Sequence, residues 1–162
     1  MRHALLAILT VFFLALGTPV KADRYWDGMQ AYAEGDYSTA FEIWLSLAER
    51  GNKIAQYALA MLYEHGEGVS QNDIKAVHWY RMAAEQGFVV AQYKLGVKYA
   101  TGKGVLEDYE TSHMWFNIAR AKGHTEAHKS LTILNDLLKQ DQILQAQARA
   151  RKCLNSNYQD CD

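Results

Sequence analysis

His124 and His128 stand four residues apart, the spacing at which two imidazoles share one face of a helix and can hold a metal ion. That chemistry needs further donors, and the one nearby acid is Glu126. The intervening Thr125-Glu126-Ala127 does not make the His-Glu-x-x-His zinc signature, and His124 directly follows Gly123, a residue type that ends helices. The pair therefore reads as solvated histidines at the start of a helix, with no metal site. His78 and His113 are 35 residues apart and share no period with anything else. Nucleophilic catalysis has no better footing: there is no Gly-x-Ser-x-Gly elbow, no phosphate loop and no Cys–His context. Gly66-Glu67-Gly68 and Gly102-Lys103-Gly104 have no strand before them, so they are not dinucleotide fingerprints. No catalytic residue, no enzyme activity and no cofactor is expected.

The two cysteines, Cys153 and Cys161, carry the remaining reactive chemistry. They lack the Cys-x-x-Cys spacing of a redox pair. In an oxidising compartment they would pair as a structural disulfide. A continuous helix would hold their Cα atoms about 12 Å apart, beyond the reach of about 7 Å that a bridge allows. The helix must then end between them, and Asn155-Ser156-Asn157 is the place for it to end.

The compartment is suggested by the first 22 residues: a basic start at Arg2, an apolar run from Ala4 to Leu16, and Val20-Lys21-Ala22 as a small-residue cleavage site. The expectation is a signal peptide over 1–22, cut near Ala22/Asp23, and a periplasmic or secreted product without a transmembrane anchor; an uncleaved anchor is the alternative. Its loss removes Arg2 and Lys21 and no acid, taking the formal charge from -1 to -3. A mildly acidic exported chain is not a nucleic-acid binder, which needs a basic surface that releases counterions.

The elements that would position any site repeat. Ala55-Gln56-Tyr57, Leu59, Tyr63, Gly66, Gly68-Val69, Trp79-Tyr80, Ala83 and Gly87 recur 36 residues later as Ala91-Gln92-Tyr93, Leu95, Tyr99, Gly102, Gly104-Val105, Trp115-Phe116, Ala119 and Gly123. Apolar spacing is helical throughout. Gly51, Gly87 and Gly123 are one period apart where helices stop. Asp36, Asn72 and Asp108 are one period apart where a side-chain oxygen would cap the next helix. The units are helix pairs over about 25–52, 53–88, 89–124 and 125–152, followed by a tail over 153–162. The first has a shortened loop, Glu34-Gly35-Asp36. The fourth lacks the loop glycines and is expected as a C-terminal cap of two helices, Thr125 to Lys139 and Asp141 to Lys152. Trp44, Trp79, Tyr80, Trp115 and Phe116 are read together as core spacers.

The run Ala55-Gln56-Tyr57-x-Leu59-Ala60-x-x-Tyr63-x-x-Gly66-x-Gly68-Val69, continued through Lys75-Ala76, Trp79-Tyr80 and Ala83-Ala84-Glu85-Gln86-Gly87, closely resembles the Sel1-like repeat, a relative of the tetratricopeptide repeat. Unit three departs from it at Ser112 for Ala76 and at Arg120 for Ala84. Unit one, with Gly35-Asp36-Tyr37 and Trp44, is more similar to the tetratricopeptide form. The resemblance implies an all-α, right-handed α-solenoid of antiparallel helix pairs whose first helices line a concave face. It also implies a role in holding protein partners rather than catalysis. Some cysteine-rich members of this group are associated with β-lactam binding or hydrolysis, but they carry a cysteine pair in each repeat and these repeats carry none.

Superposition on the tetratricopeptide pattern puts Tyr25, Met29 and Tyr32 of unit one on the concave face, with Ile54, Tyr57, Met61 and His65 of unit two. Tyr93 and Val97 follow from unit three, and Lys129 and Ile133 from unit four. Spacings of three and four keep each set on one stripe. Tyr and Met supply large, adaptable contact area, which suits a partner protein or peptide. Tyr57 and Tyr93 admit a second reading as packing between units. A cell-wall glycan or peptide fragment is the alternative ligand, and a hydrolase of β-lactam-like substrates a distant third. Partner identity and oligomeric state are not legible.

Overall fold

A computed structural model describes residues 23–161, so the expected signal peptide lies outside the described residues. Within them the chain forms eight helices and no strand: α1 (Asp23–Ala33), α2 (Tyr37–Glu49), α3 (Lys53–His65), α4 (Asp73–Ala84), α5 (Val89–Thr101), α6 (Tyr109–Ala121), α7 (Thr125–Leu137) and α8 (Gln140–Asn155). Each helix from α1 to α7 packs on the next in chain order, the connectivity of an α-solenoid, and α8 lies along α6.

The period is visible in the hydrogen bonds. Asp36, Asn72 and Asp108 accept from the backbone N–H of Thr39, Lys75 and Thr111, capping α2, α4 and α6. At the other ends Asn52, Phe88 and His124 donate to the carbonyls of Leu47, Ala83 and Ala119 across the left-handed glycines Gly51, Gly87 and Gly123. Equivalent side chains then stack into columns: Ala40, Ala76 and Ser112 are all buried, and so are Trp44, Tyr80 and Phe116. The hydroxyl that Ser112 brings into this core donates to the Gly96 carbonyl at 2.8 Å, so the departure from alanine leaves no polar atom unpaired.

Successive units are pinned by the second loop glycine. Gly68 (φ +68°) lies against the first turn of α2, where a Cβ would overlap the Tyr37 carbonyl. Gly104 (φ +78°) lies against the first turn of α4, where a Cβ would overlap the Asp73 carbonyl. Val69 and Val105 follow these glycines and pack back on the core.

All five large rings pack in or on the core, but not to the same depth. Trp79 and Trp115 are equivalent by sequence, yet Trp115 is 1% exposed while Trp79 remains partly open to solvent. Their column faces outward from α4 and α6. Only the third unit is covered there, because α8 folds along α6 and buries Ala146, Ala150 and Cys153 in the same cluster as Trp115. The cap ends as its cysteines require: α8 stops at Asn155, Asn157 and Tyr158 take positive φ, and Cys153 and Cys161 are bonded with Cα atoms 4.4 Å apart. The turn is held further by a Lys152–Asp160 ion pair of 2.8 Å. Beyond it the Tyr158 ring sits against Gly87, with the Lys122 ammonium over its face.

Candidate functional site

The loop between α1 and α2 is four residues shorter than its counterpart in unit two, so the unit-one seats lie 32 rather than 36 residues before their equivalents. Tyr25, Tyr57, Tyr93 and Lys129 thus form one column across the first helices. Met29, Met61, Val97 and Ile133 form the next. Between α1 and α3 these columns border a groove of about 310 Å³, lined by Tyr25, Met29 and Tyr32 of α1 and by Tyr57, Ala58 and Met61 of α3, with Trp44 of α2 as its floor. Trp44 is 3% exposed. Its indole N–H donates to the Tyr25 carbonyl at 3.3 Å, and its ring stacks on Tyr25 at 6.0 Å and tilts against Tyr32 at 5.7 Å. The indole reaches that close to α1 because Gly28 has no side chain to obstruct it.

Polar atoms at the groove are few. The Tyr32 hydroxyl donates to a Glu67 carboxylate oxygen at 3.0 Å. Burial raises the phenols of Tyr25 and Tyr57 above their usual range, and the nearby Glu64 charge adds to the rise at Tyr57. Tyr57 serves both roles expected of it, lining the groove while packing on Tyr80 at 5.7 Å and Phe88 at 5.2 Å.

The other residues expected on this face are not gathered here. Tyr93 stacks on His124 at 4.3 Å and tilts against Phe116, a packing role. Val97 and Ile133 line a separate hollow of about 160 Å³ with Phe116 and Leu134. Lys129 pairs with Glu126 at 3.0 Å on open surface. Ile54 and His65 are exposed and outside the groove lining. Among the described residues no cluster of three or more His, Cys, Asp or Glu is placed to hold a metal.

An ionic knot, which the sequence reading missed, joins α3, α4 and α5. Lys98 sits where Leu62 and Leu134 sit in the neighbouring units. It is 2% exposed and its Nζ lies 2.9 Å from Glu64 and 2.6 Å from Asp73. The Tyr80 hydroxyl donates to Glu64 at 2.6 Å, and Lys94 approaches the same carboxylate at 3.5 Å. Burial by itself would raise the Glu64 carboxyl. The Lys98 and Tyr80 hydrogen bonds and the two ammonium charges outweigh it and hold the group at about 2. Lys94 occupies the seat of Ala58, so the floor that is small and apolar in unit two is cationic in unit three. A polar residue in a seat that is leucine one period either side was the available signal.

The Sel1 repeat profile matches residues 14–52, 53–88 and 89–124, more than half of the chain. The chain belongs to the Sel1 repeat family. Among solved structures, a protective antigen of uropathogenic Escherichia coli strains with an SLR fold superposes with a TM-score of 0.77 at 27% identity, over 83% of this chain and 31% of that one. A Sel1 repeat protein from Oxalobacter formigenes superposes with a TM-score of 0.62 at 33% identity, over 67% of this chain and 85% of that one. Two curated relatives are exopolysaccharide production negative regulators. The one from Rhizobium meliloti (strain 1021) is 38% identical over 53 residues, 33% of this chain and 20% of the relative. The one from Rhizobium leguminosarum bv. viciae is 37% identical over 58 residues, 36% of this chain and 22% of the relative. The chain thus spans about a fifth of the curated relatives it matches. Sel1 repeats generally mediate protein–protein interaction and are typically non-catalytic scaffolds. Among the described residues of this Sel1 repeat protein, no helix is long and apolar enough to cross a membrane.

Proposed function

We propose that this Sel1 repeat chain is an exported, non-catalytic adaptor of the cell envelope that docks a segment of a partner protein on the face of its first helices. Residues 1–22 serve as the signal peptide, cut near Ala22/Asp23. The observation that carries the reading is the groove between α1 and α3, where Tyr25, Met29, Tyr57 and Met61 leave large, adaptable apolar area uncovered above a rigid Trp44 floor. A repeat scaffold presents such a surface preformed, so little ordering entropy is lost on docking. The Cys153–Cys161 bond fits an oxidising compartment. The two Rhizobium relatives are named for a regulatory role.

The test is in-cell crosslinking and affinity purification of the tagged, exported protein. A discrete protein partner is expected, with recovery falling about tenfold, some 1.4 kcal/mol, in Met29→Lys and Met61→Lys variants whose circular dichroism is unchanged. Recovery indifferent to both substitutions would overturn the groove as the docking site. Retention on peptidoglycan that is lost in Tyr25→Phe or Tyr57→Phe would replace the protein partner with a glycan.

A further inference from the structure

The groove is apolar, but its surroundings are not neutral. Residues 24–50 carry five acids, Asp27, Glu34, Asp36, Glu42 and Glu49 among them all, against two bases. Neither base faces the groove: Arg24 lines a different hollow beside Glu42, and Arg50 lines another beside Asn52. At the rim, Glu67 accepts only the Tyr32 hydroxyl and pairs with no cation among the described residues. Of the lysines on α3, α4 and α5, Lys53 donates to the Gln86 carbonyl, Lys75 lies over the Tyr63 ring, and Lys94 and Lys98 are held by Glu64 and Asp73.

Four aromatic rings, Tyr25, Tyr32, Trp44 and Tyr57, line this cavity beside that excess of acids, and no lysine or arginine is among its lining residues. A ring face attracts a cation, most strongly where water is thinned, and a guanidinium stacks on such faces while its N–H groups bond a carboxylate. A purely aliphatic anchor would fill the same volume and leave Glu67 without its counter-charge. Resting on the docking role proposed above, we infer that the occupant is a basic segment of the partner, inserting an arginine or lysine side chain between Tyr25, Tyr32 and Tyr57 with its charge against Glu67. Met29 and Met61 then pack on the aliphatic stem of that side chain and on its apolar neighbours.

The test pans a randomised 12-residue peptide library on the whole exported protein, then compares one recovered peptide with its citrulline counterpart, which keeps the shape of arginine and loses the charge. The inference expects binders that Met61→Lys abolishes and that are enriched in arginine or lysine at a single anchor position. The arginine peptide should bind about tenfold more tightly than the citrulline peptide, and the preference should collapse in Glu67→Gln and shrink at high salt. Groove-dependent binders with aliphatic anchors, or equal binding of the arginine and citrulline peptides, would overturn the basic occupant and leave the groove standing. Binders indifferent to Met61→Lys, or no binders at all, would overturn the groove itself.

Discussion

The Nζ of Lys98 lies 2.9 Å from a carboxylate oxygen of Glu64, joining α5 to α3 by an ion pair whose lysine is 2% exposed. Removing one partner of a buried pair strands the other charge, whereas replacing both with apolar groups is often neutral or better. Glu64→Gln and Lys98→Met should therefore each lower unfolding free energy by about 2 kcal/mol, the full range of 3–5 being reduced by the partial exposure of Glu64. The Glu64→Gln/Lys98→Met double variant should lose less than the sum of the two single losses, since it leaves no unpaired charge between α3 and α5 and glutamine still accepts the Tyr80 hydroxyl. Urea titrations of the three variants check this, and additive losses in the double variant would contradict it.

The same pair sets an acid limb. Folding lowers the Glu64 carboxyl from its ordinary 4.5 to about 2. A lowered carboxyl contributes stability that is whole above pH 4.5 and drains as pH falls towards 2. That contribution is about 2 kcal/mol once 1.36 kcal/mol per unit is discounted for solvent. Melting curves at pH 6, 4 and 3 should fall more steeply for the wild type than for Glu64→Gln.

Gly68→Ala and Gly104→Ala should each cost more than 2 kcal/mol, because strain at positive φ adds to overlap with the Tyr37 or Asp73 carbonyl. Gly51→Ala, at φ +86° with nothing within 4 Å, should cost only about 1 kcal/mol. Thermal denaturation of the three separates strain from overlap, and equal losses would show that the loop glycines do not pin the units.

Replacing both cysteines with serine should remove about 2.5 kcal/mol by the entropy of a nine-residue loop. It should also loosen the end of α8, reddening the emission of Trp115, which that helix covers. Unchanged stability would mean that the Tyr158 and Lys152 contacts hold the cap unaided.

The repeat was legible because spacing alone encodes it. Asp36, Asn72 and Asp108 could be named as caps, and Gly51, Gly87 and Gly123 as stops, since each role belongs to local backbone that one residue type satisfies. Tyr25, Met29, Tyr32, Tyr57 and Met61, which line the groove, were put on one face by superposition on the tetratricopeptide pattern, with helical spacing keeping each set on one stripe. Tyr93 did not join them, because its neighbour His124 comes from a loop whose stacking no period reports. Trp79 packs on the core as a ring repeating with the unit should, but its greater exposure than Trp115 was not legible, because α8 covers one and not the other. Lys98 passed unremarked because its neutralising partners, Glu64 and Asp73, lie on two other helices.

The docking claim is tested most directly by a photocrosslinking residue at position 61, in the groove, and another at position 74, where Ile74 is 71% exposed on α4. Irradiation of cells exporting each variant should give a discrete protein adduct from position 61 and none from position 74. Equal adducts from both positions, or an adduct from position 74 alone, would contradict the account.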